Sequence, residues 1–398
     1  MQAAHAFDIV LFGATGFTGQ LTAQYLADAA PELRWALAGR NREKLAAVRD
    51  RLHYRGAARP ELITADAADV TAVAALAAST RVVITTVGPY MRYGEPLLAA
   101  CAKAGTDYVD LTGEPQFVER MASRYHAMAV SSGAKIVNAC GFDSLPHDLG
   151  VLFTVRALEQ RVPQRSLAQT PVSIEGFARM TGQISGGTWQ SMLLIMSEYS
   201  PFASKPAVSL PGRRVQQMAG RVRFRSDLGF WAVPAPTIDP EIVCRSAELL
   251  ERYGVDFRYG HYIGLKHWPQ VAGLLAATGT LFGLSKSRNL REWLGKLRPS
   301  GEGPTEEQRK QGRFRVIFRG SAGDQRVHCE VRGGDPGYGE TAKMLAESAL
   351  CLVQDRARLP AQCGVVPSAA AFGEVLIERL SRAGIVFEDL TKPAEAAA

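Results

Sequence analysis

Apolar residues in this chain fall into short runs separated by glycine turns and by longer stretches with helical spacing. Residues 7–12 read FDIVLF, a β-branched and aromatic run of strand length. It leads into Gly13-Ala14-Thr15-Gly16-Phe17-Thr18-Gly19, after which Phe17, Leu21 and Tyr25 recur at i, i+4 and i+8. That spacing predicts a helix with this row on its buried face, ending near Pro31. Strands are predicted over 35–38, 62–65 and 82–87 (VVITTV), then a helix over 95–104, a strand over 108–111, a helix over 117–132 and a strand over 135–138. Such alternation is that of an α/β fold, an N-terminal Rossmann domain with a doubly wound parallel sheet, placed at residues 1–147.

Farther along, 171–178, 313–319 and 325–332 alternate as strands of a sheet covered on one side. A second, mixed α/β substrate domain is therefore expected over 148–340. Between these strands Ser185-Gly186-Gly187-Thr188 precedes an apolar helix over 189–197, either facing a cleft or capped within the core. Residues 271–284, VAGLLAATGTLFGL, carry no charge and lie between Lys266 and His267 on one side and Lys286 and Arg288 on the other. As a helix they rise only about 21 Å, short of a bilayer core of about 30 Å. Three readings stay open: a helix buried in the protein, an interfacial or acyl-chain-binding helix, and an oligomer contact. Residues 298–312, rich in Gly, Pro and charge, read as an exposed loop.

A chain of 398 residues suits two domains, and its 46% hydrophobic and 21% charged composition is that of a folded protein, not a disordered one. The net charge of +7 is spread along the sequence and fits phosphorylated ligands or an anionic membrane surface. No nucleic-acid motif accompanies it, so a nucleic-acid partner is not expected. Cys101, Cys140, Cys244, Cys329, Cys351 and Cys363 are widely separated, and neither a disulfide framework nor a metal site is indicated. Residues 1–7 lack the basic start, apolar run and cleavage site of a secretory signal, so a cytoplasmic location is expected.

The strand–glycine turn–helix at the N-terminus brings backbone N–H groups up to a pyrophosphate with no Cβ in the way, which assigns Gly13, Thr15, Gly16, Phe17, Thr18 and Gly19 to a dinucleotide. At the end of the second strand, where an acid would read a free ribose 2′-hydroxyl, stands Gly39-Arg40-Asn41-Arg42. A guanidinium pairs with a 2′-phosphate, so Arg40 favours NADP over NAD. Solvated arginines at a helix start are the plainer alternative, and their charge has the unfavourable sign there. Asp66, after the third strand, is placed beside the adenine ring. Gly88, Pro89 and Tyr90, after the fourth, should face the cofactor, because ligands of open α/β sheets lie beyond the carboxyl ends of the strands.

With GATGFTG, AGR, VGPY, YVDLTGE, Cys140-Gly141-Phe142-Asp143-Ser144-Leu145-Pro146 and Asp335-Pro336-Gly337-Tyr338-Gly339-Glu340-Thr341-Ala342-Lys343, the chain resembles the saccharopine dehydrogenase-like oxidoreductases over nearly its whole length. Within them it is most similar to the branch containing the mycobacterial trans-acting enoyl reductases of lipid biosynthesis and the animal saccharopine dehydrogenase-like protein. The resemblance implies a cofactor domain, a mixed α/β domain that builds the substrate cavity, and C-terminal helices, here 341–398, that pack back across the two.

The Tyr-x-x-x-Lys of short-chain reductases is absent, since Tyr338 and Lys343 are five apart, and no HExxH, G-x-S-x-G or Walker lysine motif occurs. Tyr90 and Asp143 are the leading candidates for the proton donor, with His147 and Tyr338 behind them. Each has a structural alternative: a tyrosine with one core hydrogen bond, or an aspartate capping the helix that begins near Pro146. The apolar runs favour a small-molecule or carrier-bound acyl substrate. Three functions stay open: an NADP-dependent enoyl reductase, an imine or saccharopine-type reductase of amino-acid conjugates, and a non-catalytic NADP-binding partner at a membrane or in a complex. Peripheral membrane contact and a homo-oligomer are the associations expected.

Overall fold

The computed structural model describes residues 5–53, 59–162, 167–181, 189, 192–193, 196–197, 207–235, 237–297 and 303–392. Its first strands are β1 (Phe7–Phe12), β2 (Trp35–Gly39), β3 (Glu61–Thr64), β4 (Thr80–Thr85), β5 (Asp107–Asp110) and β6 (Lys135–Val137). After them come β7 (Val172–Thr181), β8 (Val208–Leu210), β9 (Arg213–Gln217), β10 (Arg223–Arg225), β11 (Phe230–Pro234), β12 (Asp256–Leu265), β13 (Arg313–Ala322) and β14 (Gln325–Gly333). The C-terminal region adds β15 (Gly364–Val365) and β16 (Val386–Asp389).

The first sheet is parallel throughout and runs β15-β6-β5-β4-β1-β2-β3. Helices cover both its faces, so strands such as β2 are apolar at every position and buried from end to end. The strand order reverses between β1 and β4, and the loops leaving those two strands part there to form the crevice of a doubly wound sheet. β4 ends two residues earlier than its apolar run, which frees Thr86 to donate its hydroxyl to the Gly13 carbonyl across the crevice, at 3.0 Å.

The helix Phe17–Ala29 buries Gly19, Thr22, Ala23, Leu26 and Ala27, not the expected row Phe17, Leu21 and Tyr25. Small residues decide this, because a Cβ on Gly19 would lie 2.3 Å from the Gly13 carbonyl oxygen, and only glycine lets the helix close on the loop. The row Phe17, Leu21 and Tyr25 is half-buried, and Tyr25 donates to Glu347 of the C-terminal helix Gly339–Gln354, at 2.7 Å.

The second sheet is mixed and runs β10-β11-β12-β7-β13-β14-β16, with β9 beside β12 and β8 beside β9. The helix Leu145–Glu159 packs on β13 and β14, its Gly150 against the Phe318 ring. A division at residue 147 falls inside this helix, which packs on the second sheet and on the C-terminal helix Ser368–Arg382. The C-terminal helices Gly339–Gln354 and Ser368–Arg382 pack back on β4 and on Leu145–Glu159, while β15 joins the first sheet and β16 the second.

The apolar segment forms the helix Trp268–Ser285, of which only Val271 and Ser285 are buried. The core reading of this segment is thereby corrected: the helix meets the rest of the fold at the ends of β11 and β12 and against the next helix, Arg288–Lys296. The expected loop over 298–312 contains a helix, Glu306–Gln311, started by a Thr305–Gln308 capping box, and 298–302 lie outside the described residues. Residues 185–188 and much of 189–197 also lie outside them. Among the described residues no helix is long and apolar enough to cross a membrane.

Candidate active site

The glycine loop is shaped for an anion. Gly13 has φ +90°, a conformation that L side chains rarely adopt, and a Cβ there would collide with Val87 and Thr86. At Gly16, the N-cap of the following helix, a Cβ would meet only the Gly13 carbonyl, at 3.4 Å, so the space in front of it is open. The first-turn N–H groups of a helix have no carbonyl of their own to bind, and here they face that space. Thr15 and Thr18 are held by backbone contacts, accepting at their carbonyls from the Gln20 amide and the Thr22 hydroxyl. The residues present fit a dinucleotide pyrophosphate.

At the end of β2, Arg40 is exposed, whereas Arg42 is tied to the Leu62 carbonyl and Asn41 caps the helix Arg42–Arg51 through the Lys44 N–H. Asp66 is exposed beyond β3, its carboxylate accepting from the Ala68 N–H at 3.0 Å. Gly88 and Pro89, joined by a cis peptide bond, form the lip beyond β4. The Phe17 ring stands edge-on to Tyr338 at 4.8 Å with the Arg309 guanidinium above it, so it binds the loop to the C-terminal region.

Tyr90 lies under the lip. Its buried hydroxyl donates to the Thr85 carbonyl and accepts from the Leu111 N–H, both at 3.2 Å, while Glu114 accepts the N–H groups of Tyr90 and Met91. Burial, and then the neighbouring carboxylate of Asp110, push the phenol well above its ordinary range. Asp143 is half-buried where the loops after β5 and β6 meet, with its carboxylate against Gly113 and Gly141. Burial and the nearby Asp239 carboxylate raise it to about 6, against a weaker pull from His147. Asp143 does not cap the helix Leu145–Glu159, whose N-cap is Ser144. The loop holding Asp143 begins at Ala139, a non-glycine residue at φ 58° held there by donation of its N–H to Asp110.

Three motifs far apart in sequence converge here. Thr341 accepts from the Phe142 N–H at 3.0 Å and donates to the Pro336 carbonyl at 2.7 Å, so the loop 335–341 folds over the loop 140–146. Asp335 holds that fold by accepting from the N–H groups of Tyr338 and Gly339. Gly141 has no room for a Cβ, which would lie 2.7 Å from Leu111 and 3.0 Å from Thr341.

Behind Asp143 lies a cluster the sequence did not disclose. His147 Nδ1 is 2.7 Å from Asp239 Oδ1, His261 Nε2 is 3.6 Å from Asp239 Oδ2, and the Tyr259 hydroxyl is 3.1 Å from His261 Nδ1. All four members are buried. His147 was visible as a candidate, but Asp239 and His261 come from a helix and a strand whose packing alone brings them to it. Burial pulls His261 down to about 4, so it is neutral at pH 7, and the two imidazoles hold Asp239 below the usual carboxylate range despite its burial. The three residues could each offer one metal-ligating atom. At zinc bond lengths, however, tetrahedral donors stand about 3.3 Å apart, and His147 Nδ1 and Asp239 Oδ1, at 2.7 Å, are closer than that. The six cysteines are free thiols, five of them buried.

A parallel sheet of this order, with a glycine turn at its switch point and a basic side chain after β2, defines a dinucleotide-binding protein of the Rossmann class. Residues 9–137 match the saccharopine dehydrogenase NADP-binding domain family. A Mycobacterium tuberculosis relative is 39% identical over 411 residues, covering 95% of this chain and 96% of the relative. The trans-acting enoyl reductase of Mycobacterium bovis is 37% identical over 415 residues, covering 96% of this chain and 98% of its own. Saccharopine dehydrogenase (L-Glu forming) from Saccharomyces cerevisiae shares the fold, with a TM-score of 0.55 at 14% identity, over 97% of this chain and 100% of the yeast chain. The chain belongs to the saccharopine dehydrogenase-like family, among relatives that include the mycobacterial trans-acting enoyl reductases. It is an NADP-dependent oxidoreductase.

Proposed function

We propose that the protein is an enoyl reductase acting in trans on a carbon–carbon double bond of a lipid or polyketide-type acyl chain. The observation that carries this reading is the full-length relation to trans-acting enoyl reductases. The character of the site supports it. Asp143 lies beside Gly113 and Gly141 and next in sequence to Phe142, whose ring packs on Phe314, and the principal charges acting on it are Asp239, His147 and Asp110, with no guanidinium among them. A reductase of amino-acid conjugates needs cations to read its substrate's carboxylates, whereas an acyl chain needs an apolar wall.

In this reading NADP, when bound, supplies the hydride chemistry. The backbone N–H groups of Phe17 and Thr18, at the start of the helix that Gly16 caps, would hold the pyrophosphate, Arg40 would pair with the 2′-phosphate, Asp66 would flank the adenine, and Gly88 and Pro89 would line the nicotinamide side. Asp143, poised near pH 6, delivers the proton to the carbon next to the acyl carbonyl. Tyr90, with its hydroxyl engaged by backbone on both sides, is a positioning residue that fixes the β4 and β5 loops.

Turnover of NADPH with enoyl thioesters of increasing chain length, set against a keto acid plus lysine, tests the proposal. Oxidation with the thioesters alone is expected. Turnover only with the keto acid and amine would overturn it, and so would cofactor binding with no turnover on either.

A further inference from the structure

We propose that the helical hairpin of residues 268–296 docks on a membrane surface bearing anionic phospholipid headgroups. The helix Trp268–Ser285 has no charged side chain anywhere on its circumference, yet only two of its residues are buried. A helix that is apolar all round is stable in water only when something covers it. Gly273, Gly279 and Gly283 look onto open space, where an added Cβ would meet nothing within 4 Å. Trp268 and Leu275 on this helix, and Leu290, Trp293 and Leu297 on or just after the next, are each more than 40% exposed. The apolar surface extends through ring contacts of Trp268 with Trp231 and of Trp231 with Phe224, out to the edge strand β10.

Charge selects the occupant. Between residues 266 and 297 the sequence places Lys266, Lys286, Arg288, Arg291 and Lys296 around this surface, against a single acid, Glu292, which is already paired with Arg288 at 3.0 Å. Two copies meeting through the hairpin would bring these like charges together. An anionic headgroup layer complements them, and tryptophans beside an apolar face are suited to the boundary between headgroups and acyl chains. The helix is about 27 Å long and lies in that boundary instead of crossing it.

Cosedimentation of the full chain with vesicles of phosphatidylglycerol and phosphatidylcholine, compared with phosphatidylcholine alone, reads the surface directly and requires no turnover. Wild type should bind the anionic vesicles and be released by salt. Leu275→Glu combined with Trp293→Glu, and separately Lys266→Gln combined with Lys296→Gln, should each weaken binding about tenfold or more. Both variants should keep the melting temperature and NADPH affinity of wild type, because the altered side chains are exposed. Absence of wild-type binding, equal binding to both kinds of vesicle, or full binding by the variants would overturn the proposal. So would light scattering that shows a dimer which the Leu275→Glu, Trp293→Glu variant dissociates.

Discussion

At the end of β2 the exposed Arg40 stands where an acid would otherwise read a ribose hydroxyl, while its neighbours Asn41 and Arg42 are engaged in capping and in a backbone bond. Arg40→Ala should therefore weaken NADPH by about 10–100-fold, the worth of a charge-assisted hydrogen-bonded pair, and leave NADH nearly unchanged. Calorimetry with both cofactors checks this, and equal wild-type affinities would remove Arg40 from the role. Asp143 supplies a second prediction. Its carboxyl, raised to about 6, loses its proton as pH rises through that value. If it donates the proton, kcat should fall with a one-proton slope above pH 6, and Asp143→Asn should lower kcat and abolish that limb. A variant with the wild-type pH profile would assign the proton to another group.

The glycine turn and its helix respond to substitution as a unit, and two of its glycines should fail in different ways. Gly16 faces open space, so Gly16→Val should abolish NADPH binding with circular dichroism and melting temperature close to wild type. Gly19 faces the Gly13 carbonyl and Ala14, so Gly19→Val should force the helix off the loop and lower stability by about 1–3 kcal/mol. Binding measurements and melting curves on the pair separate a ligand clash from a packing clash. Much of this element was legible in the sequence, because FDIVLF, three spaced glycines and a helix have local causes. Its buried face was not. The row Phe17, Leu21 and Tyr25 looked like a core stripe, but the C-terminal helix it meets lies far away in the sequence.

At the scale of the molecule, the two sheets are held together by contacts from the C-terminal region. Asp148, in the helix Leu145–Glu159, accepts from the Ser368 hydroxyl and the Ala369 N–H, both at 2.7 Å, and so caps the helix Ser368–Arg382. Burial raises its carboxyl to about 6 from 3.8. The folded state then binds a proton that the unfolded state has lost, so this residue's contribution to stability falls as pH rises from about 4 through 6. Urea unfolding of Asp148→Asn, which keeps an acceptor and cannot ionise, should lack that component of the pH slope. At pH 5 Asp148→Ala should cost about 1–3 kcal/mol for the unmade bonds. A pH slope equal to wild type in the Asn variant would place the titration elsewhere.

Short-range chemistry made legible the parallel α/β alternation, the glycine cradle, the basic residue after β2 and the family motifs that name the cofactor. These are readable because a strand, a tight turn and an amphipathic helix are each specified by a few neighbouring residues. The tertiary structure alone decided the juxtapositions. It folded the loop 335–341 onto the loop 140–146, engaged the Tyr90 hydroxyl with backbone on both sides, and placed Asp239 and His261 against His147. It also left the helix Trp268–Ser285 largely uncovered, although the same composition would serve equally well inside a core. Apolar character states that a surface must be covered, and only the arrangement of the whole chain states whether the chain itself covers it.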